Sequence, residues 1–346
     1  MATVVDRAAI EDARRILDGV AFVTPLEHSR ALSDLVGGPV YLKCENLQRT
    51  GSFKVRGAYV RMSRLTPQER ARGVVAASAG NHAQGVALAA ATLGISAVVY
   101  MPTDVALPKL EATQAFGAEV RLWGANVDEA LREARAVSKQ TGRVFIHPFD
   151  HPDVIAGQGT IGQEILDRVP DVRTVLVPVG GGGLLAGMVR GLERPGSPVR
   201  VVGVQAAGAA AYPPSLEAGH PVGLRRMSTI ADGIAVGRPG DVTFEIIRDA
   251  AAEVRTVSDE QISQALLAVL ERSKLLVEPS GAVGVAALRE APEDFEAPVV
   301  VLLSGGNVDT LTLLGLLRHG LTVAGRFLQF KVRVPDRPGS LVTLLS

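Results

Sequence analysis

Residues Thr174 to Val179 form a nearly unbroken apolar, β-branched run, and four consecutive glycines, Gly180 to Gly183, follow it before Leu184 opens a helical pattern. A run without a polar face reads as a strand buried on both sides, as in a parallel sheet covered by helices. The glycines constrain the next step. Consecutive glycines cost backbone entropy, and at a strand's carboxyl end before a helix they let main-chain N–H groups cradle a phosphate. The loop lacks the Gly-Lys-Ser/Thr ending of a nucleotide P-loop. Gly181, Gly183 and Ala186 fit the loose dinucleotide fingerprint, but the next strand ends in Gln205 where an acid should meet a ribose.

The same alternation of strand and helix runs through most of the chain. Strand patterns at Val40–Cys44, Val74–Ser78, Ala97–Met101, Glu119–Trp123, Val144–His147, Val199–Gln205 and Val299–Ser304 are interleaved with helical periods. The helices are expected near 10–20, 81–93, 108–116, 127–141, 154–169, 257–273, 281–290 and 309–320, with a long irregular connection over 206–242. This predicts an α/β protein with mainly parallel sheets in three-layer αβα units. The 346 residues suggest about two domains. After Gly325 the pattern changes: 327–334 reads as a strand, and a turn at 335–339 leads into a helix start. Such a piece opens a further domain or, alternatively, completes the main sheet or pairs in a dimer.

Composition excludes several classes of partner. Lys plus Arg and Asp plus Glu number 36 each, so no bulk field gathers nucleic acid or an anionic membrane. No apolar run reaches the roughly 18 residues of a membrane span. The single cysteine, Cys44, lies in an apolar stretch; it excludes an intramolecular disulfide and points to a reducing, cytoplasmic setting.

Three further stretches carry chemistry. Gly51 permits a tight turn and Ser52 is expected to cap a helix with apolar positions Val55, Tyr59, Met62 and Leu65 that stops at Pro67. Lys54 then sits in the first helical turn, where the macrodipole disfavours an ammonium and so favours the neutral amine that attacks carbonyls. Ser78-Ala79-Gly80-Asn81-His82 offers amides at a helix N-terminus to a carboxylate, Ser78 or Asn81 as a plain cap being the alternative. At the end of an all-apolar strand, Ser304 presents a neutral hydroxyl or is simply a turn residue.

These motifs, with Cys44-Glu45-Asn46-Leu47-Gln48, Glu278-Pro279-Ser280-Gly281 and Ser304-Gly305-Gly306-Asn307, together resemble the threonine dehydratase family, enzymes of the tryptophan-synthase β fold that use pyridoxal 5'-phosphate. The resemblance implies that Lys54 forms the Schiff base with the cofactor and that Phe53 lies against its ring. Asn81 would contact the ring hydroxyl, Gly180, Gly181, Gly182, Gly183 and Leu184 would hold the phosphate, and Ser304 would face the pyridine nitrogen. Ser78, Gly80, Asn81 and His82 would line the substrate carboxylate site. It implies dehydration of L-threonine to 2-oxobutanoate and ammonia, and of L-serine to pyruvate, within amino-acid metabolism and isoleucine biosynthesis. A serine dehydratase, another β-eliminating enzyme of the fold, or a non-enzymatic amino-acid sensor are the alternatives.

The same resemblance divides the chain into a large cofactor-binding domain (1–55 and 149–322), a small inserted domain (56–148) and the start of a truncated ACT-like regulatory module (323–346). That module would take an amino-acid effector, and a homodimer or homotetramer is expected. Two departures refine the expectation. Related serine racemases have a proton-transferring serine where Ala79 stands here, and acids for a divalent metal where residues 205–211 have none. Elimination without efficient racemisation, and without that metal, is the result expected.

Overall fold

The structure, a computed structural model, describes residues 5–194, 196 and 198–345. Its strands are β1 (Leu26–His28), β2 (Val40–Cys44), β3 (Val74–Ala77), β4 (Ala97–Met101), β5 (Glu119–Leu122), β6 (Val144–Phe145), β7 (Thr174–Pro178), β8 (Arg200–Ala206), β9 (Glu253–Val257) and β10 (Val299–Leu303). They build a six-stranded sheet ordered β1-β2-β10-β7-β8-β9 and a four-stranded sheet ordered β5-β4-β3-β6. Among the strands of the described residues, only β1 and β2 pair antiparallel.

Each sheet buries both faces because strand side chains alternate. In the larger one Val300 and Leu302 join Val175, Val177, Ile161 and Leu185 on one side. Val299, Val301 and Leu303 join Leu176, Val204 and Leu266 on the other. The smaller sheet repeats the scheme, with Val99 and Met101 against Val86 and Ala87 on one face and Val98 and Tyr100 against Ala130 and Ala134 on the other.

Several expectations are corrected. β1, β9 and helices Arg30–Val36 and Asp241–Asp249 are additional, and 206–242 includes the helix Tyr212–Ala218. Pro67 does not merely stop a helix: it opens the next one, Pro67–Arg72, with Thr66 and Glu69 forming a capping box. Residues 327–334 form no strand and are exposed.

The helix Lys54–Ser63 is anchored by charges rather than by its cap. Arg56, fully buried, donates from Nε and a terminal nitrogen to the two oxygens of Glu45, both at 2.8 Å, and grips Glu164 at 2.6 and 3.1 Å. Thr160 Oγ1 and the Phe22 carbonyl accept its remaining bonds. Lys43 completes the set, donating to Glu164 at 2.6 Å and to the Thr24 carbonyl at 2.8 Å, while the Thr24 hydroxyl donates to Glu45. Two cations face two carboxylates, so the buried cluster is neutral and its polar atoms are matched. Burial pushes the Glu45 carboxyl up, but the charge and hydrogen bonds of Arg56 more than offset this and hold it below 4.5.

Arg56→Met should therefore lower stability by about 3–5 kcal/mol, since it strands two carboxylates in the interior, whereas Arg7→Ala, which removes an exposed pair with Glu11, should leave the urea midpoint in place. In the wild-type protein the share owed to Glu45 is complete above its unfolded value of 4.5 and fades as pH falls through the lower folded value. Urea melts at several pH values read both effects.

Candidate active site

The carboxyl ends of β7, β10 and β3 come together around Lys54. The local fold explains how. Ser52 pairs with Gly305 as an isolated antiparallel bridge, the Phe53 N–H donates to the Ser304 carbonyl at 3.2 Å, and the Gly306 N–H donates to the Gly51 carbonyl at 2.8 Å. The turn carrying the lysine is thus stitched to the loop after β10. Gly51, at φ +68°, makes the necessary reversal. Ser52 is not the cap that the sequence led us to expect: Phe53 occupies the N-cap position without a side-chain bond, and the buried Ser52 hydroxyl has no partner among the described residues.

Lys54 is half-buried, its exposed part facing a cleft that Phe53, Asn81, Gly180, Gly181, Gly182, Gly183, Leu184 and Ser304 also line. Its Nζ donates to the Pro148 carbonyl at 3.0 Å and lies 5.1 Å from the centre of the Phe53 ring. Desolvation lowers its pKa from 10.5 to about 8, with the charge of Glu278 pulling back. A substantial fraction of the amine is neutral at mildly alkaline pH, as attack on an aldehyde requires.

The glycine loop is built to present amides. Its carbonyls turn into the protein: the Gly181 oxygen accepts from Thr243 Oγ1 at 2.7 Å, from the Gly240 N–H at 3.1 Å and from the Tyr212 hydroxyl at 3.3 Å. Gly182 has φ +101°, and an added Cβ would strike the Tyr212 hydroxyl. None of the N–H groups from Gly180 to Leu184 has an acceptor among the described residues. Successive unpaired amides at a helix N-terminus fit a phosphate dianion, and an amine of lowered pKa on the same cleft fits its aldehyde.

The four residues expected at the substrate carboxylate site share one loop, but only Asn81 lines the cleft. Ser78 accepts through Oγ from the Gly80 N–H at 3.1 Å, and His82 turns its ring inward, Nε2 lying 2.9 Å from the Ile146 carbonyl. Burial, with the Lys54 charge adding, drops His82 to about 3, so its ring is neutral and its N–H donates. What this loop offers an anion is backbone: the amides of Asn81, His82 and Ala83 have no acceptor among the described residues. In the segment 205–211, Gln205 clamps the backbone, accepting from the Tyr212 N–H and donating to the Val179 carbonyl.

Among the cleft residues to which the sequence reading gave no role are Pro148, Phe149, Gln158, Glu278 and Ser280. The Ser280 hydroxyl is buried without a partner among the described residues. Phe149 packs against Gly181 and Gly183, and His147 shapes its turn by accepting through Nδ1 from the Phe149 and Asp150 amides. Asp150 in turn caps the helix Asp241–Asp249 through its amides. Beside Glu278, Lys109 pairs with Asp232 at 2.9 Å. The acidic residue opening Glu278-Pro279 was the one signal the sequence offered for Glu278.

Residues 17–305 match the family described as pyridoxal-phosphate dependent enzyme. The chain belongs to that family. It is 46% identical over 336 residues to the L-threonine ammonia-lyase of Thermotoga maritima, covering 97% of this chain and 84% of that protein. It is 48% identical over 322 residues to the L-threonine ammonia-lyase of Geobacter sulfurreducens, covering 93% and 80%. The solved structure of the processed form of threonine deaminase isoform 2 from Solanum lycopersicum superposes with a TM-score of 0.85 at 38% identity, over 92% of this chain and 95% of that one.

Reductive trapping with pyridoxal 5'-phosphate and borohydride should label Lys54 ahead of the other lysines, with a yield that rises with pH through a midpoint of about 8. Peptide mass spectrometry across a pH series reads both the site and the midpoint. Labelling spread over surface lysines, or a midpoint near 10.5, would contradict the assignment of Lys54.

Proposed function

We propose that this chain is a threonine ammonia-lyase, converting L-threonine to 2-oxobutanoate and ammonia and accepting L-serine to give pyruvate. The observation that carries the reading is the half-buried amine of Lys54 facing unpaired phosphate-type amides on one cleft, in a chain close to two L-threonine ammonia-lyases over most of its length. Pyridoxal 5'-phosphate, when bound, supplies the electron sink that makes the substrate's Cα proton acidic. The amides from Gly180 to Leu184 would hold its phosphate, Phe53 would lie against its ring, Asn81 would contact its ring hydroxyl and Ser304 would meet its pyridine nitrogen with a neutral hydroxyl. A neutral partner there would leave the nitrogen unprotonated and favour β-elimination.

The loop Ser78, Gly80, Asn81 and His82 binds the substrate carboxylate. Lys54 Nζ takes up the Cα proton, the proton passes on to the β-hydroxyl and this leaves as water, restoring the neutral amine; hydrolysis of the unsaturated product yields the oxo acid and ammonia. With Ala79 in place of a second proton-transfer group, Lys54 handles the Cα proton alone. Serine lacks one methyl, which a pocket discriminates by only about 1–3 kcal/mol.

The reading extends to organisation. Residues 1–55 and 149–322 form a large domain and 56–148 a small inserted one, a division consistent with β3 to β6 making a sheet of their own. Residues 323–346 are the ACT-like segment of this reading, with an amino acid as its effector, and Phe327, Leu328 and Phe330 within it are exposed apolar side chains. The protein works in the cytoplasm as a homodimer or homotetramer and serves isoleucine biosynthesis. No helix among the described residues is long and apolar enough to cross a membrane.

Purified protein supplied with the cofactor should release 2-oxobutanoate from L-threonine, and Lys54→Ala should lower the rate at least about 10³-fold. A coupled oxo-acid assay reads this; an unchanged rate in Lys54→Ala would sink the reading. Chiral analysis of residual serine should show negligible racemisation, and Ala79→Ser should raise it.

A further inference from the structure

Glu278 is a carboxyl that the proposed chemistry leaves without a task. It stands at the N-cap of the helix Pro279–Glu290, is buried, and lines the cleft with Lys54, Asn81 and Ser304. Its Oε1 accepts from Asn81 Nδ2 at 2.7 Å. The other end of Asn81 is fixed as well, because Oδ1 accepts from Asn307 Nδ2 at 2.7 Å, and the same nitrogen donates to the Thr50 carbonyl at 2.7 Å. The directions follow from chemistry. A main-chain carbonyl only accepts, so Asn307 must offer it nitrogen; Asn81 must then turn its oxygen to Asn307 and its nitrogen to Glu278.

This relay ties the loop after β10, the turn before Lys54, the start of the helix after β3 and the helix opened by Pro279. A glutamine at 278 could accept from Asn81 equally well without the desolvation cost of an acid. Moreover, Oε2 has no hydrogen-bond partner among the described residues, so the second oxygen is not spent on structure. Three charges face the carboxyl from the elements around it: Asp232 from the turn Asp232–Ile234, Lys109 from the helix Leu107–Ala115, and Lys54.

We propose that Glu278 is a positioning residue for the cofactor ring: through Asn81 it fixes the side-chain amide that meets the ring, and it brings an ionisable group one hydrogen bond from that contact. The proposal rests on the reading of the cleft as the pyridoxal 5'-phosphate site. Burial, reinforced by Asp232, raises Glu278 from 4.5 to about 7, against the Asn81 hydrogen bond and the charges of Lys109 and Lys54. Below that pH it is a neutral acid; above it, an anion is added beside Asn81 and Lys54. The ring's surroundings thus change by one charge near neutrality, and the cofactor's visible absorption should follow.

The test uses protein loaded with pyridoxal 5'-phosphate: wild type, Glu278→Gln and Glu278→Ala. Visible absorbance is titrated between about pH 6 and 9, and cofactor release is timed after dilution. Wild type should show a spectral step with a midpoint of about 7. Glu278→Gln, which keeps an acceptor for Asn81, should lose that step yet release the cofactor within about threefold of the wild-type rate; Glu278→Ala should release it about tenfold faster. A wild-type step persisting in Glu278→Gln overturns the proposal, as does wild-type release from Glu278→Ala. Should Glu278→Ala fail to fold, Glu278→Gln decides alone. Absence of any cofactor band in the wild type would instead overturn the reading of the cleft, on which the proposal stands.

Discussion

Arg56 holds the structure at the point where its parts meet. Two residues after Lys54, its guanidinium locks Glu45, which follows β2 of the large sheet, to Glu164 on the helix Pro152–Arg168. An ordinary cap could fix the end of a helix, but not its position relative to two other elements. A planar group with five donors in a fixed fork can do so, because satisfying both carboxylates leaves a single pose. The close approach of the two helices reinforces it: a Cβ on Gly157 would meet the Arg56 carbonyl oxygen at 2.7 Å. The lysine inherits its place from this arrangement, and so does the turn that pairs with the loop after β10.

The cleft and the residues just behind it collect groups whose usual charges are weakened. Lys54 is lowered to about 8, Glu278 is raised to about 7, and His82 and His147 are held neutral, in each case with desolvation as the largest cause. A site so arranged reserves its strongest fields for what enters it. The unpaired amides of the glycine loop are then free to act on a bound anion.

The sequence carried much of this. β2, the helix Asn81–Leu93 and the helix Val127–Thr141 have the bounds their apolar patterns and flanking glycines imply. β9 was hidden because it is an edge strand whose Glu253 and Arg255 break the apolar run, and β1 because three residues carry no period. That the glycine loop, Lys54 and Ser304 would meet at strand ends was legible since each belongs to a local motif. Arg56 and Glu278 were not, for the partners that give them meaning lie 108 and 197 residues away in the chain. Ser52 misled for a related reason: a pairing with Gly305 satisfies its backbone, so the turn needs no hydroxyl.

The ion pairs behind Lys54 and beside Glu278 differ in kind. Behind Lys54 the Arg56 cluster is enclosed and insensitive to the medium. Beside Glu278, Lys109 reaches from the helix Leu107–Ala115 to Asp232; its own side chain is 19% exposed and that of Asp232 63%, so water reaches one end of the pair freely. Dissolved salt weakens such a contact while leaving the enclosed cluster nearly untouched. The link between these two elements therefore depends in part on the ionic strength around it.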